Sequence, residues 1–232
     1  MRTSKKLSII IPSLNEEYKL PLLIADIRRC NIPKEIVIVD CGSSDNTLLI
    51  ARVTGCKSLK VKEPNRGHQL KVGASSSSGD WLLFLHADSR LEEGWFTKVH
   101  QIIDEAKSGD FAWFFKFRVS NRRPVFRLME TIVSIRSNLL KEPYGDQGLL
   151  ISKKLYTEIG GYKSLHLMED LDIVIRLNKT TRLKEIDAKI YTDSRKWREN
   201  NIIKQSISNA LLRKRWLKGE ASYEIHKEYY SK

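Results

Sequence analysis

The sequence predicts an α/β fold: a doubly wound, mostly parallel central sheet flanked by helices. Three observations carry that prediction. Strand-like and helix-like stretches alternate over roughly the first ninety residues, as βαβ units require. The strand-like runs at 7–11, 35–39 and 81–85 are nearly unbroken in Ile, Val, Leu and Trp, the pattern of parallel strands covered on both faces. Each run stops at Pro, Gly, Ser, Asn or Asp, so turn chemistry separates it from the helix that follows.

The elements follow in order. Residues 7–11 form a first strand, ended by Pro12. Leu22, Leu23 and Ile27 have helical spacing, so 18–30 reads as a helix. The second strand, 35–39, runs into a Gly- and Ser-rich loop over 40–47, where Ser44 or Asp45 can cap a helix reaching Val53. Residues 58–61 make a short strand, Asn65-Arg66-Gly67 opens a helix to Ala74, and 81–85 is the central strand. Beyond it, 92–107 is an amphipathic helix and 111–119 an aromatic-rich strand with one face on the core. A helix over 124–140 is opened by Pro124. Residues 144–148 form a polar loop, 149–151 a short strand, and 153–159 a helix stopped by Gly160-Gly161. Then come a helix over 167–177, one or two edge strands over 182–192, and a helix over 201–218. No repeat, linker or low-complexity stretch interrupts the chain, so 1–232 reads as a single domain, with a first half of about 1–90 and a second of about 91–232.

Composition narrows the function. Charged residues make up 30% and hydrophobic residues 41%, ordinary for a folded domain, but the net charge of +13 calls for an anionic partner. Nucleotide phosphates, nucleic acid and an anionic membrane surface all qualify. The three cysteines, Cys30, Cys41 and Cys56, have no metal-type spacing, and their scatter fits a reducing compartment. No apolar run approaches the roughly 20 residues of a membrane span, and 7–11 is too short for a signal-peptide core. A cytoplasmic location is expected, with peripheral membrane contact left open.

The carboxylates at the strand ends carry the chemistry. In a parallel sheet the ends at Ile11, Val39 and Leu85 share one edge, so Asn15 with Glu16, Asp40, and Asp88 can converge. Acids gathered in one crevice repel unless they hold a cation or accept hydrogen bonds from a ligand. Mg²⁺ or Mn²⁺, with one or two carboxylates and the rest of its shell from phosphate and water, resolves that repulsion. The first strand is followed by neither a P-loop nor a Gly-x-Gly-x-x-Gly run, which weighs against NTP hydrolysis and dinucleotide binding. A diphosphate would instead meet metal and basic residues such as Arg66 or Lys71. Taken alone, Asp88 could also cap the helix that follows it.

Ile9-Ile-Ile-Pro-Ser-Leu-Asn-Glu16, Ile36-Val-Ile-Val-Asp-Cys-Gly-Ser-Ser-Asp-Asn-Thr47, Asn65-Arg-Gly67 and Leu83-Phe-Leu-His-Ala-Asp88 resemble, in order, the motifs of family 2 glycosyltransferases with the Rossmann-like GT-A fold. Gly160-Gly161-Tyr162 followed by Glu169-Asp170 resembles that family's acceptor-side motifs. Tyr144-Gly-Asp-Gln-Gly148 and Ser194-Arg-Lys-Trp197 resemble a small bacterial subgroup, the radical-SAM/selenodomain-associated transferases. The likeness covers about 7–197.

The resemblance implies roles. Pro12, Asn15 and Glu16 would line the nucleotide, Asp40 would contact its base, and Asp45 is the nearby loop acid. Arg66, Gly67, His86 and Ala87 would complete the nucleotide-sugar site, and Asp88 would bind the divalent cation, Mn²⁺ or Mg²⁺. His86 stands where the family has the first acid of Asp-x-Asp; a neutral imidazole can bond ribose or phosphate or ligate Mn²⁺. Asp170 matches the general base of an inverting transfer from a nucleotide-diphosphate sugar, most commonly UDP-linked in this family, to an acceptor hydroxyl. Glu169, Gly161, Asp146 and Gln147 fall on the acceptor side. Arg195 and Trp197 either close over the diphosphate or pack the C-terminal segment.

Plainer readings stand beside these. Glu169 and Asp170 suit a helix N-terminus; Asp146 suits a turn; His166 reads as a solvated loop residue, and the aromatics of 111–117 as core. The family's Gln-x-x-Arg-Trp motif is missing, because Leu212 stands where the Gln before Arg215-Trp216 would be, which argues against a processive polymerase. The basic stretch 213–218 is a solvated face or, through Trp216, a contact with anionic lipid. The rival classes are a nucleotide-sugar-binding protein without turnover and a basic nucleic-acid-binding module. The acid-bearing strand ends oppose the second, so no nucleic-acid partner is expected.

Overall fold

The computed structural model describes residues 5–121, 123–192 and 202–230. Its first half is the expected alternation: β1 (Leu7–Ser13), α1 (Leu20–Arg28), β2 (Lys34–Asp40), α2 (Thr47–Val53), β3 (Lys57–Lys60), α3 (Arg66–Ser75) and β4 (Trp81–Phe84). β3, β2, β1 and β4 lie side by side and pair in parallel, with Ser13 opposite Asp40 and Ile10 opposite Phe84. The chain moves outward from β1 to β2 and β3, then returns to the other side of β1 as β4. The β1/β4 boundary is therefore the point where strand order reverses, and ligands gather outside the carboxyl ends there.

Unbroken apolar runs make these strands because both faces are covered. Every residue of β1 and β4 is buried. Ile9 and Ile11 pack with Leu23, Ile27, Val99 and Ile103, on the side of α1 and of α4 (Trp95–Asp104). Ile10 packs the other way, with Val37, Leu70 and Ala74, on the side of α3. Alternate residues of one strand thus feed two separate cores, so no position is left for a polar residue.

The second half adds β5 (Arg90–Leu91), β6 (Ala112–Val119), α5 (Pro124–Asn138), β7 (Leu149–Ser152), α6 (Lys153–Glu158), α7 (Glu169–Thr180), β8 (Leu183–Thr192), α8 (Ile202–Leu217) and α9 (Ser222–Tyr230). The whole sheet runs β3-β2-β1-β4-β7-β6-β8-β5. β7 is antiparallel to both β4 and β6, whereas β6 and β8 are parallel. Phe114, Phe115 and Phe117 of β6 are core, as expected. Among the described residues no helix is long and apolar enough to cross a membrane.

Several boundaries differ from the sequence reading, each for a local reason. α4 begins at Trp95 rather than 92 because Gly94 adopts φ 76°. α7 begins at Glu169 rather than 167 because Met168 sits at φ 68°, a left-handed conformation that a helix cannot include. Residues 183–192 form one strand, and it is not at the edge: β5, two residues long, pairs with it antiparallel. α9 was not expected. Gly219, at φ 97°, ends α8, and Ile225 is the one buried apolar residue of α9, so its periodicity is faint in the sequence.

Gly73 on α3 marks how closely helix and sheet approach. A Cβ there would lie 2.4 Å from Ile10 Cγ2 and 3.0 Å from Val39 Cγ2, on stiff β-branched side chains. Gly73→Ala should therefore destabilise the protein by about 1–3 kcal/mol in urea unfolding, the usual cost of overpacking.

Candidate active site

The site begins where β1 and β2 end. Asn15 follows β1 with φ 54°, a conformation Asn tolerates better than most residues. Its backbone N–H donates to Ser43 Oγ (2.8 Å), and its Oδ1 accepts from the Ser44 N–H (2.9 Å). Asp45 accepts from the Glu17 N–H (3.1 Å) and from Thr47 N–H and Oγ1–H (3.0 and 2.5 Å). Asn15 and Asp45 thus lace the loops after β1 and β2 together. Their many donors hold the Asp45 carboxyl below its ordinary range against the opposing effect of burial, the largest single influence. Asp40 is fully buried; its carboxylate accepts from the Gly42 and Ser43 N–H groups (2.9 and 3.0 Å) and from the Ser43 hydroxyl. All of these bonds lie within its own loop.

α3 supplies the next wall. Asn65 caps it, accepting from the His68 N–H (2.8 Å), and its side-chain amide donates to Ser164 O (3.3 Å). Gln69 Nε2 donates to both Ser13 O (3.1 Å) and Val39 O (2.7 Å), bridging the ends of β1 and β2. Gly67 is required by a close approach: a Cβ would fall 2.2 Å from Lys163 O and 2.8 Å from Leu165 N. Arg66 reaches across the same contact to pair with Glu169, the first residue of α7.

The residues after β4 meet the second half here. A Cβ on Gly145 would lie 2.9 Å from His86 Nε2 and 3.4 Å from Asp170 Oδ2, so Gly145 sits between those two side chains. Its N–H donates to Asp170 Oδ2 (3.0 Å), while the Leu171 N–H donates to Asp170 Oδ1 (2.8 Å). Asp146 is enclosed, and its Oδ1 has no hydrogen-bond partner. Its pKa is pushed up to about 6, chiefly by burial; Asp170 and Asp88 push the same way, while Arg136 and Arg66 oppose them. Burial likewise raises the Glu169 carboxyl, with Arg66 opposing, and Glu169 Oε2 is also without a partner. Four acids, Asp88, Asp146, Glu169 and Asp170, are therefore electrically coupled around Arg66.

Two recesses result. A cleft of about 430 Å³ is lined by Pro12, Ser13, Glu16, Cys41, Arg66, His86, Ala87 and Asp88. A smaller groove of about 120 Å³ holds Asp170, with Tyr144, Leu167, Met168, Leu171, Leu212 and Tyr229. Arg66 lines both. Gln147 and Gly161 support the walls: Gln147 accepts from Ser137 Oγ–H (2.6 Å), and a Cβ on Gly161 would meet the Tyr156 ring at 2.7 Å. Arg195 and Trp197 lie outside the described residues.

Two cleft residues escaped the sequence reading. His166 is no free loop residue: its ring lies 5.7 Å from His226 and 5.4 Å from Tyr223, both on α9, and both histidines line the cleft. No motif marks His226. Arg136, stacked 3.4 Å from the centre of the Tyr144 ring, is the other omission.

The donor set suits a divalent cation. Among the described residues no group of three or more His, Cys, Asp or Glu could hold a metal by itself. Asp88 opens on the cleft with His86 beside it, and a hard cation that shares its shell with a diphosphate and water needs only one or two protein ligands.

Comparison with known proteins decides the family. The sequence profile of glycosyl transferase family 2 matches residues 8–164. The chain belongs to that family. An uncharacterized glycosyltransferase of Haemophilus influenzae is 28% identical over 180 residues, 74% of this chain and 61% of that protein. The 4,4'-diaponeurosporenoate glycosyltransferase of Staphylococcus haemolyticus is 34% identical over 96 residues, 38% of this chain and 26% of that protein. The chain thus spans under two thirds of either relative. In three dimensions it matches S. aureus TarS 1–349 in complex with UDP-GlcNAc, with a TM-score of 0.67 at 20% identity, over 82% of this chain and 59% of that one. GalNAc-T7 with UDP, GalNAc and Mn²⁺ matches with a TM-score of 0.62 at 14% identity, over 83% and 44%. The curled, mostly parallel sheet with its helices is the GT-A fold.

The orphaned carboxyl of Asp146 gives a pH test. Its pKa is raised by folding, so the folded state binds the extra proton between about pH 4 and 6, and this group's contribution to stability is lost as pH rises through that window. Asp146→Asn removes the titration. The stability difference between variant and parent, followed by urea unfolding, should move in the variant's favour by on the order of 2–3 kcal/mol between pH 4 and pH 7.

Proposed function

We propose that this chain is an inverting glycosyltransferase that moves a sugar from a nucleoside-diphosphate donor to an acceptor hydroxyl. The observation that carries the reading is the junction at Arg66. A cleft at the β1/β4 switch point, with Asp88 on its wall, adjoins there a groove holding a carboxylate oriented by two backbone N–H groups. The UDP-sugar bound by the structural neighbour TarS favours a UDP-linked donor. The Tyr144-Gly-Asp-Gln-Gly148 motif supports membership of the radical-SAM/selenodomain-associated subgroup.

In this reading the diphosphate lies in the larger cleft, with Pro12, Glu16 and the loops braced by Asn15, Asp40 and Asp45 around the nucleotide. Asp88, with His86, would hold a divalent cation, which supplies neutralisation of the charge developing on the departing diphosphate. Arg66 adds positive charge at the same place. Asp170 faces the groove where the acceptor enters and takes the hydroxyl proton as oxygen attacks the anomeric carbon. The new bond forms on the face opposite the sugar–phosphate bond, which breaks to release the nucleoside diphosphate. Gly145 keeps the space between His86 and Asp170 free of a side chain, and Tyr144 with Leu171 presents an apolar wall to the acceptor.

Thermal-shift measurements with UDP, GDP and other nucleoside diphosphates, each with and without Mn²⁺, test the donor site. One of them should stabilise the protein in a metal-dependent way, and Asp88→Ala should abolish that effect. Asp170→Asn should lower turnover by roughly 10²- to 10⁴-fold, the usual range for a lost general base, while leaving donor binding intact. Retained turnover would remove Asp170 from the base role.

A further inference from the structure

α5 has two apolar faces, and only one of them is used. Phe126, Glu130, Val133 and Ser137 face inward and are buried. On the opposite side Val125, Leu128, Ile132, Ile135 and Leu139 recur at helical spacing and are each 44–75% exposed. Leu140 extends the strip past the helix end. Scattered exposed leucines need no explanation, but a continuous apolar stripe over four turns marks a contact surface.

The charges around the stripe choose its occupant. Arg123, Arg127 and Lys141 are exposed beside it. The helix has one acid, Glu130, which is buried and paired with Arg127 (2.6 Å), so no exposed carboxylate lies along its length. A second copy of this chain would bring the same cations and the same net charge of +13 against them, and the two would repel. A surface that is apolar in depth and negative at its rim complements both features. An anionic lipid bilayer is such a surface: the leucines and isoleucines enter the acyl boundary while arginine and lysine remain with the headgroups.

We propose that α5 is a membrane-docking helix that holds the protein on anionic lipid without spanning it. The inner side of the same helix reaches the candidate site, since Ser137 bonds Gln147 and Arg136 stacks on Tyr144. Docking on α5 therefore sets the Tyr144 groove beside the lipid surface. Vesicle binding is read without turnover, so it stands or falls separately from the transfer reaction.

The test is sedimentation of the full chain with phosphatidylcholine vesicles, with and without phosphatidylglycerol. Binding should require the anionic lipid and weaken as salt rises. Leu128→Glu with Ile132→Glu, both on the exposed stripe, should reduce the partition coefficient roughly tenfold or more at an unchanged melting temperature. Arg123→Glu with Lys141→Glu, outside the packed face, should do the same through charge alone. The proposal is overturned if the parent shows no preference for anionic vesicles, or if the leucine–isoleucine double variant binds like the parent. It is equally overturned if sedimentation velocity finds a dimer that this double variant converts to monomer, because the stripe would then be a self-association face.

Discussion

The pairing of Arg66 with Glu169 is the contact on which the site depends. Arg66 opens α3 in the first half of the chain, and Glu169 opens α7 in the second. Glu169 is almost wholly buried, so its charge is costly unless matched. Such a pair adds little net stability, but losing either member leaves the other uncompensated. It therefore acts as a condition: the halves close with these two residues opposed, or they close badly. Gly67 enforces the same closure by letting the backbone of the 163–165 segment lie directly on α3. His86, Gly145 and Asp170 meet only because that seam is tight.

Topology explains why the second half delivers its acids to the right edge. Parallel strands leave the sheet at one edge, so the residues after β1, β2 and β4 collect there. β7 runs the other way beside β4, so the chain must enter β7 from that same edge. The turn just before β7, with Gly145 and Asp146, is thereby delivered to the exit of β4. A parallel strand in this place would have carried it to the far side of the sheet.

The strand ends were legible because their signal is strong and local: solid apolar runs closed by Asn15, Asp40 and Asp88. The convergence of Asp170 with them was reachable only by resemblance, since 82 residues separate it from Asp88 and no periodicity links the two. The burial of Asp146 was not readable at all. Tyr-Gly-Asp-Gln is an ordinary turn sequence, and what raises the carboxyl is enclosure by elements far along the chain. α5 posed another ambiguity. Its apolar residues were plain, yet a helix apolar on two sides does not reveal in sequence which side faces inward. His226 was hidden for a simpler reason: α9 follows a glycine break and offers few apolar residues to betray a helix.

Gln69 has a mechanical consequence. One side-chain nitrogen is shared between Ser13 O and Val39 O, so it works as a crossbar fixing the spacing of the β1 and β2 mouths from within a buried position. Splaying these strands would strand an amide and two carbonyl oxygens away from water. The floor of the cleft is thus a rigid bank, and any accommodation to an incoming molecule falls to the facing bank, where α9 sets His226 against His166.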